Sequence, residues 1–185
     1  MATLDRFRID DKVALVTGAG CGIGRATVLA LAECGAVTSP SPPAARTSSR
    51  RSRKKSASFV WAGARSSSNA TAAVTANLEA FAARAMDEFG RIDIVINNVG
   101  GSMPKGFLQT TEKEFAGAFH FNVTTAFARR PPSPTCRSSG GAIVNISSSI
   151  GQMKGKGFAA HGTAKGAMSH FTRLLSEDLA EDPRR

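Results

Sequence analysis

The chain of 185 residues contains no tyrosine, only three cysteines and no long hydrophobic run. Cys21, Cys34 and Cys136 have neither disulfide nor metal-ligand spacing, and the three histidines do not cluster with them. We therefore predict a reducing compartment and no metal site. Because no stretch approaches a membrane span and no apolar signal core opens the chain, the sequence predicts a cytoplasmic protein. The length predicts a single domain, residues 1–185.

Acidic residues are missing from two segments. Seven basic residues and no acidic ones lie between Glu33 and Glu79, and three more lie within residues 129–140. The net charge of +10 therefore belongs to these segments, and the rest of the chain is balanced. The composition of residues 38–72, rich in Ser, Pro and Arg, predicts disorder or irregular structure, and residues 129–140 predict an irregular connection. A reading frame that shifts and is then restored would also produce both segments.

The basic run Arg50–Lys55 leaves a nucleic-acid or anion binder open as one alternative function. Only Phe59 and Trp61 lie near enough in sequence to stack on bases, and no nucleic-acid-binding module is present. A solvated charged segment explains the same composition. The sequence therefore makes nucleic acid an unlikely partner.

The stretch from Lys12 to Gly24 organises the rest of the chain. Its apolar run, Val13 to Val16, is typical of a strand buried on both faces. Glycines follow at positions 18, 20, 22 and 24, and a helix comes next, with apolar spacing at Ile23, Thr27, Ala30, Leu31 and Cys34. Strand, glycine turn and helix in this order allow a backbone to approach a pyrophosphate. A plain turn that needs glycine only for its geometry is the alternative.

Strand and helix patterns alternate along the rest of the chain. A helical stripe runs over Val74, Leu78, Phe81, Ala85 and Phe89, and strands are predicted at 92–96 and 142–146. Thr111 to Glu114 form a capping-box pattern that begins another helix. A last helix from about Phe158 carries Ala164, Ala167, Phe171, Leu174, Leu175 and Leu179 on its apolar face. This alternation predicts an α/β fold with a doubly wound parallel sheet in three layers.

Several of these pieces, in this order, resemble the short-chain dehydrogenase/reductase family, especially its bacterial 3-oxoacyl-reductase-like and hydroxysteroid-dehydrogenase-like members. Residues 17–24 match its T-G-x-x-x-G-I-G turn, and Asn97 to Gly100 match N-N-A-G with Val99 for the alanine. Asn122 falls mid-helix, Ser148 precedes position 161 by thirteen residues, and Lys165 follows it by four. Because the family continues into further elements, the resemblance implies a Rossmann-like sheet that is incomplete at its C-terminal edge, in an apparently truncated chain.

The resemblance implies an NAD(P)-dependent oxidoreductase that transfers hydride between a nicotinamide and a carbonyl or alcohol of a small-molecule substrate. Ser148 would bond the substrate oxygen, Lys165 the nicotinamide ribose, and Asn122 a relay water. The cofactor-binding set would comprise Gly18, Gly22, Ile23, Gly24, Asn98, Gly100 and Lys165. An arginine, Arg46, slightly favours NADP over NAD. The family also implies a homo-oligomer, either a dimer or a tetramer.

Position 161 departs from the family pattern, because His161 stands where the resemblance implies a catalytic tyrosine. An imidazole with an ordinary pKa near 6.5 can exchange a proton. Its ring is shorter than a phenol, however, and the charge of Lys165 disfavours its protonated form. General acid–base catalysis contributes about 10²–10⁴-fold, so we expect a loss of turnover of that order. A catalytically impaired, cofactor-binding pseudoenzyme or fragment is therefore the main alternative function.

Overall fold

The computed structural model describes residues 6–36, 59–61, 71–128 and 141–180, with the backbone alone described at 59–61 and 71–79. It divides into two compact units. The first contains residues 6–36, 59–61, 79–98 and 141–144, and the second contains residues 71–78, 99–128 and 145–180. Arg46 and the basic run Arg50–Lys55 lie outside the described residues, as do residues 129–140. The helices that are described include none long and apolar enough to cross a membrane.

Within the described residues, four strands form one sheet with the spatial order β2-β1-β3-β4. They are β1 (Ala14–Thr17), β2 (Phe59–Trp61), β3 (Ile94–Asn97) and β4 (Ala142–Asn145). Strand β1 pairs in parallel with both neighbours, Leu15 lying opposite Phe59 on one side and Val95 on the other. All four residues of β1 are buried, as its apolar run predicts. The predicted α/β fold with a parallel sheet is confirmed.

Strand β2 corrects one sequence prediction. Residues 38–72 were expected to be disordered or irregular, but Phe59–Trp61 form a strand and Thr71 begins a helix. The remaining residues of that range lie outside the described part of the chain. The strand is stabilised by backbone hydrogen bonds to β1, and the composition of the segment gives no information about that pairing. The second strand of the fold therefore lies inside the serine- and arginine-rich segment.

In the described part of the chain, five helices accompany the sheet. They are α1 (Gly22–Glu33), α2 (Thr71–Phe89), α3 (Glu112–Phe119), α4 (Thr125–Ala128) and α5 (Ala159–Leu179). A π-helical turn, His120–Thr124, joins α3 to α4. The predicted capping box at the start of α3 is confirmed, since Thr111 Oγ1 accepts from Glu114 N at 3.3 Å and Thr111 N donates to Glu114 Oε2 at 2.9 Å. Lys105 Nζ, 2.7 Å from the Glu114 carboxylate, and the hydrogen bonds that the backbone N and the hydroxyl of Thr111 donate to it lower the pKa of Glu114 to about 2.

The burial of side chains confirms some of the predicted helix faces and corrects others. Phe81 and Ala85 of α2 pack with Leu15, Ile92 and Val95, as the stripe on α2 predicts. The predicted helix α1 is confirmed, and of its apolar positions Thr27, Leu31 and Cys34 are half-buried whereas Ile23 and Ala30 are exposed. On α5, the predicted face is wrong for Leu174 and Leu179, which are exposed, whereas Lys165 and Met168 are buried.

Asp93 joins the starts of three chain segments in the first unit. Its carboxylate, 1% exposed, accepts from Val13 N at 2.9 Å and from Arg91 Nε at 2.9 Å, and its carbonyl accepts from Ala142 N at 2.8 Å. Burial by itself would raise the pKa of Asp93, but the hydrogen bonds from Arg91 and Val13 outweigh it and lower the pKa. The ionised carboxylate therefore stabilises the aligned strand starts.

We expect Asp93→Asn to lower the free energy of unfolding at pH 7 by about 1–3 kcal/mol, because charged hydrogen bonds are lost from a buried site. A depressed carboxyl pKa stabilises the fold above the unfolded value, near 3.9, and that stability is lost as the pH falls through the folded value. The difference between wild type and variant should therefore shrink below about pH 4. Urea unfolding measured from pH 3 to 7 tests this, with exposed Asp87→Asn as the control. Equal unfolding of both variants would contradict it.

Candidate active site

In the glycine turn after β1, backbone conformation or close packing favours glycine at three positions. Gly18 has a φ of +66° and Gly22 a φ of +54°, both in the region that favours glycine. A Cβ added at Gly22 would meet nothing within 4 Å, so this side of the turn is open. A Cβ at Gly24 would instead collide with the Gly18 carbonyl and lie 2.6 Å from Asn98 Nδ2. The turn thus combines an open backbone edge with close packing of α1 behind it.

Helix α1 begins at the open side of this turn. Its N-cap residue is Cys21, in an extended conformation, and no described side chain caps the first turn. The amide groups there are unsatisfied by the helix itself, and the helix dipole makes this end favourable for an anion. The side chain of Ile23, 64% exposed, also lies in this first turn. A helix N-terminus with such free amide groups can accept a phosphate or another anion.

Asn98 holds the turn in place from the end of β3. Its backbone N donates to Thr17 Oγ1 at 3.0 Å and its Nδ2 donates to the Thr17 carbonyl at 2.9 Å. The sequence resemblance places Asn98 on the ribose side of a cofactor. In the structure its amide nitrogen is directed at the turn, so its observed role is to position Thr17 and Gly18.

Lys165, Asn122 and Gly100 come together in the second unit. Lys165 is 5% exposed and its Nζ donates to the Ile146 carbonyl at 2.7 Å. A Cβ added at Gly100 would lie 2.6 Å from Asn122 Oδ1 and 2.7 Å from Lys165 Nζ. Burial lowers the pKa of Lys165. These contacts require glycine at position 100 and bring an ammonium group beside it.

Asn122 is fully buried, and its amide is already hydrogen-bonded. Its Oδ1 accepts from Gly101 N, and its Nδ2 donates to the Gly101 carbonyl, both at 3.0 Å. Nδ2 also donates to the Ala118 carbonyl at 2.8 Å, an acceptor that an α-helix would give to its own backbone. This competition accompanies the π-helical turn around Asn122. The side chain therefore anchors the loop after β3, and the sequence resemblance did not anticipate these partners.

Ser148 and Ser147 have separate structural roles. Within the described residues, Ser148 Oγ accepts a single long bond, from Ile150 N at 3.4 Å, at the start of a 3₁₀ turn, Ser149–Gly151. Ser147 Oγ instead donates to the Lys165 carbonyl at 2.9 Å and lies 2.7 Å from Ser169 Oγ. Sequence reasoning missed Ser147, because the three consecutive serines carry no local signal that separates them.

His161 lies one helical turn before Lys165 on the same face of α5. Its ring centre is 6.5 Å from that of Phe158, and its Nδ1 is buried without a hydrogen-bond partner among the described residues. Burial first, and then the charge of Lys165, lower the pKa of His161. The lowered pKa makes the imidazole of His161 neutral near pH 7.

A groove of about 580 Å³ lies along the other face of α5. Its helix residues include Ala159, Thr163, Gly166 and His170. At 3.6 residues per turn these positions are on the side opposite His161 and Lys165. The groove therefore does not coincide with the residues identified from sequence.

Comparison with known proteins agrees with this geometry. A family model described as short chain dehydrogenase matches residues 12–183. An uncharacterised oxidoreductase of Mycobacterium tuberculosis is 45% identical over 184 residues, which cover 95% of this chain and 67% of that protein. The 7alpha-hydroxysteroid dehydrogenase of Escherichia coli K12 is 28% identical over 183 residues, 98% of this chain and 70% of the enzyme.

A solved structure shows the same relationship in three dimensions. It is a 7 alpha-hydroxysteroid dehydrogenase complexed with NADH and 7-oxo glycochenodeoxycholic acid. It matches with a TM-score of 0.75 and 26% identity, over 97% of this chain and 69% of that one. The chain belongs to the short-chain dehydrogenase family, whose members are oxidoreductases with a Rossmann-type fold.

Proposed function

We propose that this chain binds a nicotinamide dinucleotide and acts on a small carbonyl or alcohol substrate. The observation that carries the proposal is the glycine turn, with its positive φ values at Gly18 and Gly22 and its open edge at Gly22. In dinucleotide-binding turns one glycine makes the tight turn, another admits the pyrophosphate, and a third allows close packing of helix and strand. Gly18, Gly22 and Gly24 meet these three requirements in that order.

The residues of the second unit support the same assignment. A bound nicotinamide would accept or donate hydride, which the protein's own side chains cannot do. Lys165 would bind the nicotinamide ribose through an ammonium group now held by the Ile146 carbonyl. Ser148, whose hydroxyl makes only one long contact, would bond the substrate oxygen. Asn122 and Gly100 would shape the cofactor side, with Asn122 acting through the backbone of Gly101.

NADPH is the cofactor that we propose first. The support is Arg46, which lies outside the described residues, so NADH remains the second candidate. The structural neighbour contains NADH, which shows that a related protein of this fold takes a nicotinamide dinucleotide. We propose the substrate only as a class, a small carbonyl compound or alcohol.

A second candidate is a protein that binds the cofactor but catalyses poorly. The observation that favours it is His161, whose imidazole has a lowered pKa and a buried, unpartnered Nδ1. The family's tyrosine is absent here, but the other residues of the family pattern, Asn122, Ser148 and Lys165, are present. Cofactor binding and turnover therefore have to be measured separately.

We also propose that the chain self-associates as a dimer or tetramer through α3, α4 and α5. Phe115, Phe127 and Leu174 expose 38%, 50% and 53% of their surfaces on these helices. Large apolar side chains on neighbouring helices are a common feature of interfaces. The oligomeric state remains a prediction.

Cys21 provides a direct test of cofactor binding. It is exposed at the N-cap of α1, where a pyrophosphate would shield it. We expect saturating NADPH to slow alkylation of Cys21 by N-ethylmaleimide about tenfold or more, as expected when a ligand covers its site. Cys34, at the far end of the same helix, provides the internal control. Mass spectrometry of the labelled peptides measures both rates in one sample.

Unequal protection by NADPH and NADH would identify the preferred cofactor. Equal slowing of Cys21 and Cys34 would indicate a general effect of the nucleotide on the reagent or the protein. If neither NADPH nor NADH protects Cys21, the proposed function is wrong.

A further inference from the structure

Lys165 is held at both ends by two consecutive residues that follow β4. Its Nζ donates to the Ile146 carbonyl at 2.7 Å, and its backbone carbonyl accepts from Ser147 Oγ at 2.9 Å. One residue earlier, Asn145 Nδ2 donates to Thr172 Oγ1 at 3.0 Å, about two helical turns further along α5. A lysine side chain is long and flexible, so contacts at both ends restrict where its ammonium can lie.

Two hydroxyl groups share the Lys165 carbonyl, but only one of them comes from outside the helix. Ser147 Oγ and Ser169 Oγ are 2.7 Å apart and either can donate, and Ser169 Oγ is also 3.2 Å from the Lys165 carbonyl. Ser169 lies one turn beyond Lys165 on α5, so its bond is local to the helix. Ser147 belongs to the segment after β4, so its bond connects that segment to the helix.

Ser147 does not point in the same direction as its neighbour Ser148. The backbone at Ser148 is extended, with φ −155° and ψ 150°. Successive side chains of an extended segment point to opposite sides. Ser147 therefore contacts the helix, while Ser148 points to the other side and, within the described residues, accepts one long bond from Ile150 N, 3.4 Å.

We propose that Ser147 is a positioning residue that sets the place of the Lys165 ammonium by bonding the backbone of the same lysine. This inference rests on the proposed function, because it is the cofactor role of Lys165 that gives its position a consequence. If Ser147 is lost, Ser169 can still donate to the Lys165 carbonyl, but the hydrogen bond from the segment after β4 to the backbone of Lys165 is broken. If Ser169 is lost, that bond remains.

The test compares Ser147→Ala with Ser169→Ala, two removals of one half-buried hydroxyl from the same cluster. We expect Ser147→Ala to weaken NADPH binding about tenfold, equivalent to a lost hydrogen bond of about 1.4 kcal/mol, and Ser169→Ala to change it less than about twofold. Ser147→Thr keeps a hydroxyl and should restore most of the affinity. Thermal unfolding of each variant measures any general loss of stability.

A second measurement follows the lysine itself in the free protein. Acetylation of Lys165 by acetic anhydride, followed by mass spectrometry over a pH range, reports the titration of its amine. We expect the pKa of Lys165 to move up toward its ordinary value in Ser147→Ala, because the ammonium is no longer kept in its buried place, and not to move in Ser169→Ala. Its described surroundings contain one titratable group, His161 on the same helix, whereas Gly100, Asn122 and Ile146 carry no charge.

Each outcome decides a separate question. Equal loss of NADPH affinity in the two alanine variants, or a Lys165 titration that neither variant changes, overturns the positioning role. Wild-type protein that binds neither NADPH nor NADH refutes the proposed function, but the acetylation profile still decides whether Ser147 positions Lys165.

Discussion

Replacing His161 with tyrosine should raise the rate of carbonyl reduction by about 10²–10⁴-fold, the usual contribution of a general acid. His161 lies one turn before Lys165 on α5, and burial together with the lysine charge lowers its pKa. Few molecules are therefore protonated near pH 7. A phenol at this position reaches further and needs no positive charge to donate its proton.

The same electrostatics that weaken His161 as an acid favour a tyrosine. The ammonium of Lys165 disfavours an imidazolium but stabilises a phenolate, so it should lower the pKa of the introduced tyrosine below about 10. Because the chain has no other tyrosine, the ultraviolet absorbance of phenolate reports this residue alone. Wild-type reduction, if measurable, should instead become faster as the pH falls and His161 gains a proton.

The rate is measured with NADPH as hydride donor, using 7-oxo glycochenodeoxycholic acid and a panel of simple ketones. His161→Phe is the matched control, since it fills the site with a ring that carries no proton. Cys21 protection by NADPH should be the same in wild type and both variants. If His161→Tyr binds NADPH and is no faster than His161→Phe on any carbonyl, the account of position 161 is wrong.

The second large effect is expected at Gly24, where Gly24→Ala should weaken NADPH binding by about 10- to 100-fold. A Cβ there meets the Gly18 carbonyl and Asn98 Nδ2, and the carbonyl is backbone that cannot rotate away. Relief of the clash requires α1 to move from the turn, and overpacking of this kind costs about 1–3 kcal/mol. Because 1.4 kcal/mol corresponds to a factor of ten, that range gives the expected loss of affinity.

Two other glycines separate a clash from a general effect of adding a methyl group. Gly117→Ala places the methyl group on α3 with nothing within 4 Å, so it should leave NADPH binding unchanged and stabilise the helix by up to about 1 kcal/mol. Gly22→Ala has the same open space but a φ of +54°, so it tests backbone strain without a clash. Undiminished binding by Gly24→Ala would show that the close packing of α1 does not shape the cofactor site.

Local patterns were predictable from the sequence because the groups that satisfy them are near in the chain. The capping box needs only Thr111 and Glu114, three residues apart, and it is confirmed. The apolar run of β1 and the glycine turn depend on a few consecutive residues, and their order along the chain already identifies the parallel α/β fold. The spacing of Ser148, His161 and Lys165 likewise identifies the family, although their roles stay predictions.

Patterns that depend on distant partners were not predictable in the same way. Strand β2 lies in serine- and arginine-rich surroundings, and its bounds follow from pairing with β1, where Phe59 lies opposite Leu15. The apolar spacing identifies α1 as a helix, but its contact with the glycine turn is made by Gly24, which has no side chain, while Ile23 stays exposed.

The amino-acid sequence by itself determined the family, the glycine turn after β1 and the absence of a tyrosine at position 161, since each is a matter of residue identity and spacing. Only the tertiary structure decided which serine bonds the helix, that Asn122 and Asn98 use their amides to hold backbone, and that Lys165 is held at both ends. The physical reason is that a hydrogen bond requires two groups to meet within about 3 Å. Folding, rather than spacing along the chain, brings Ser147 to Lys165 and Asn98 to Thr17.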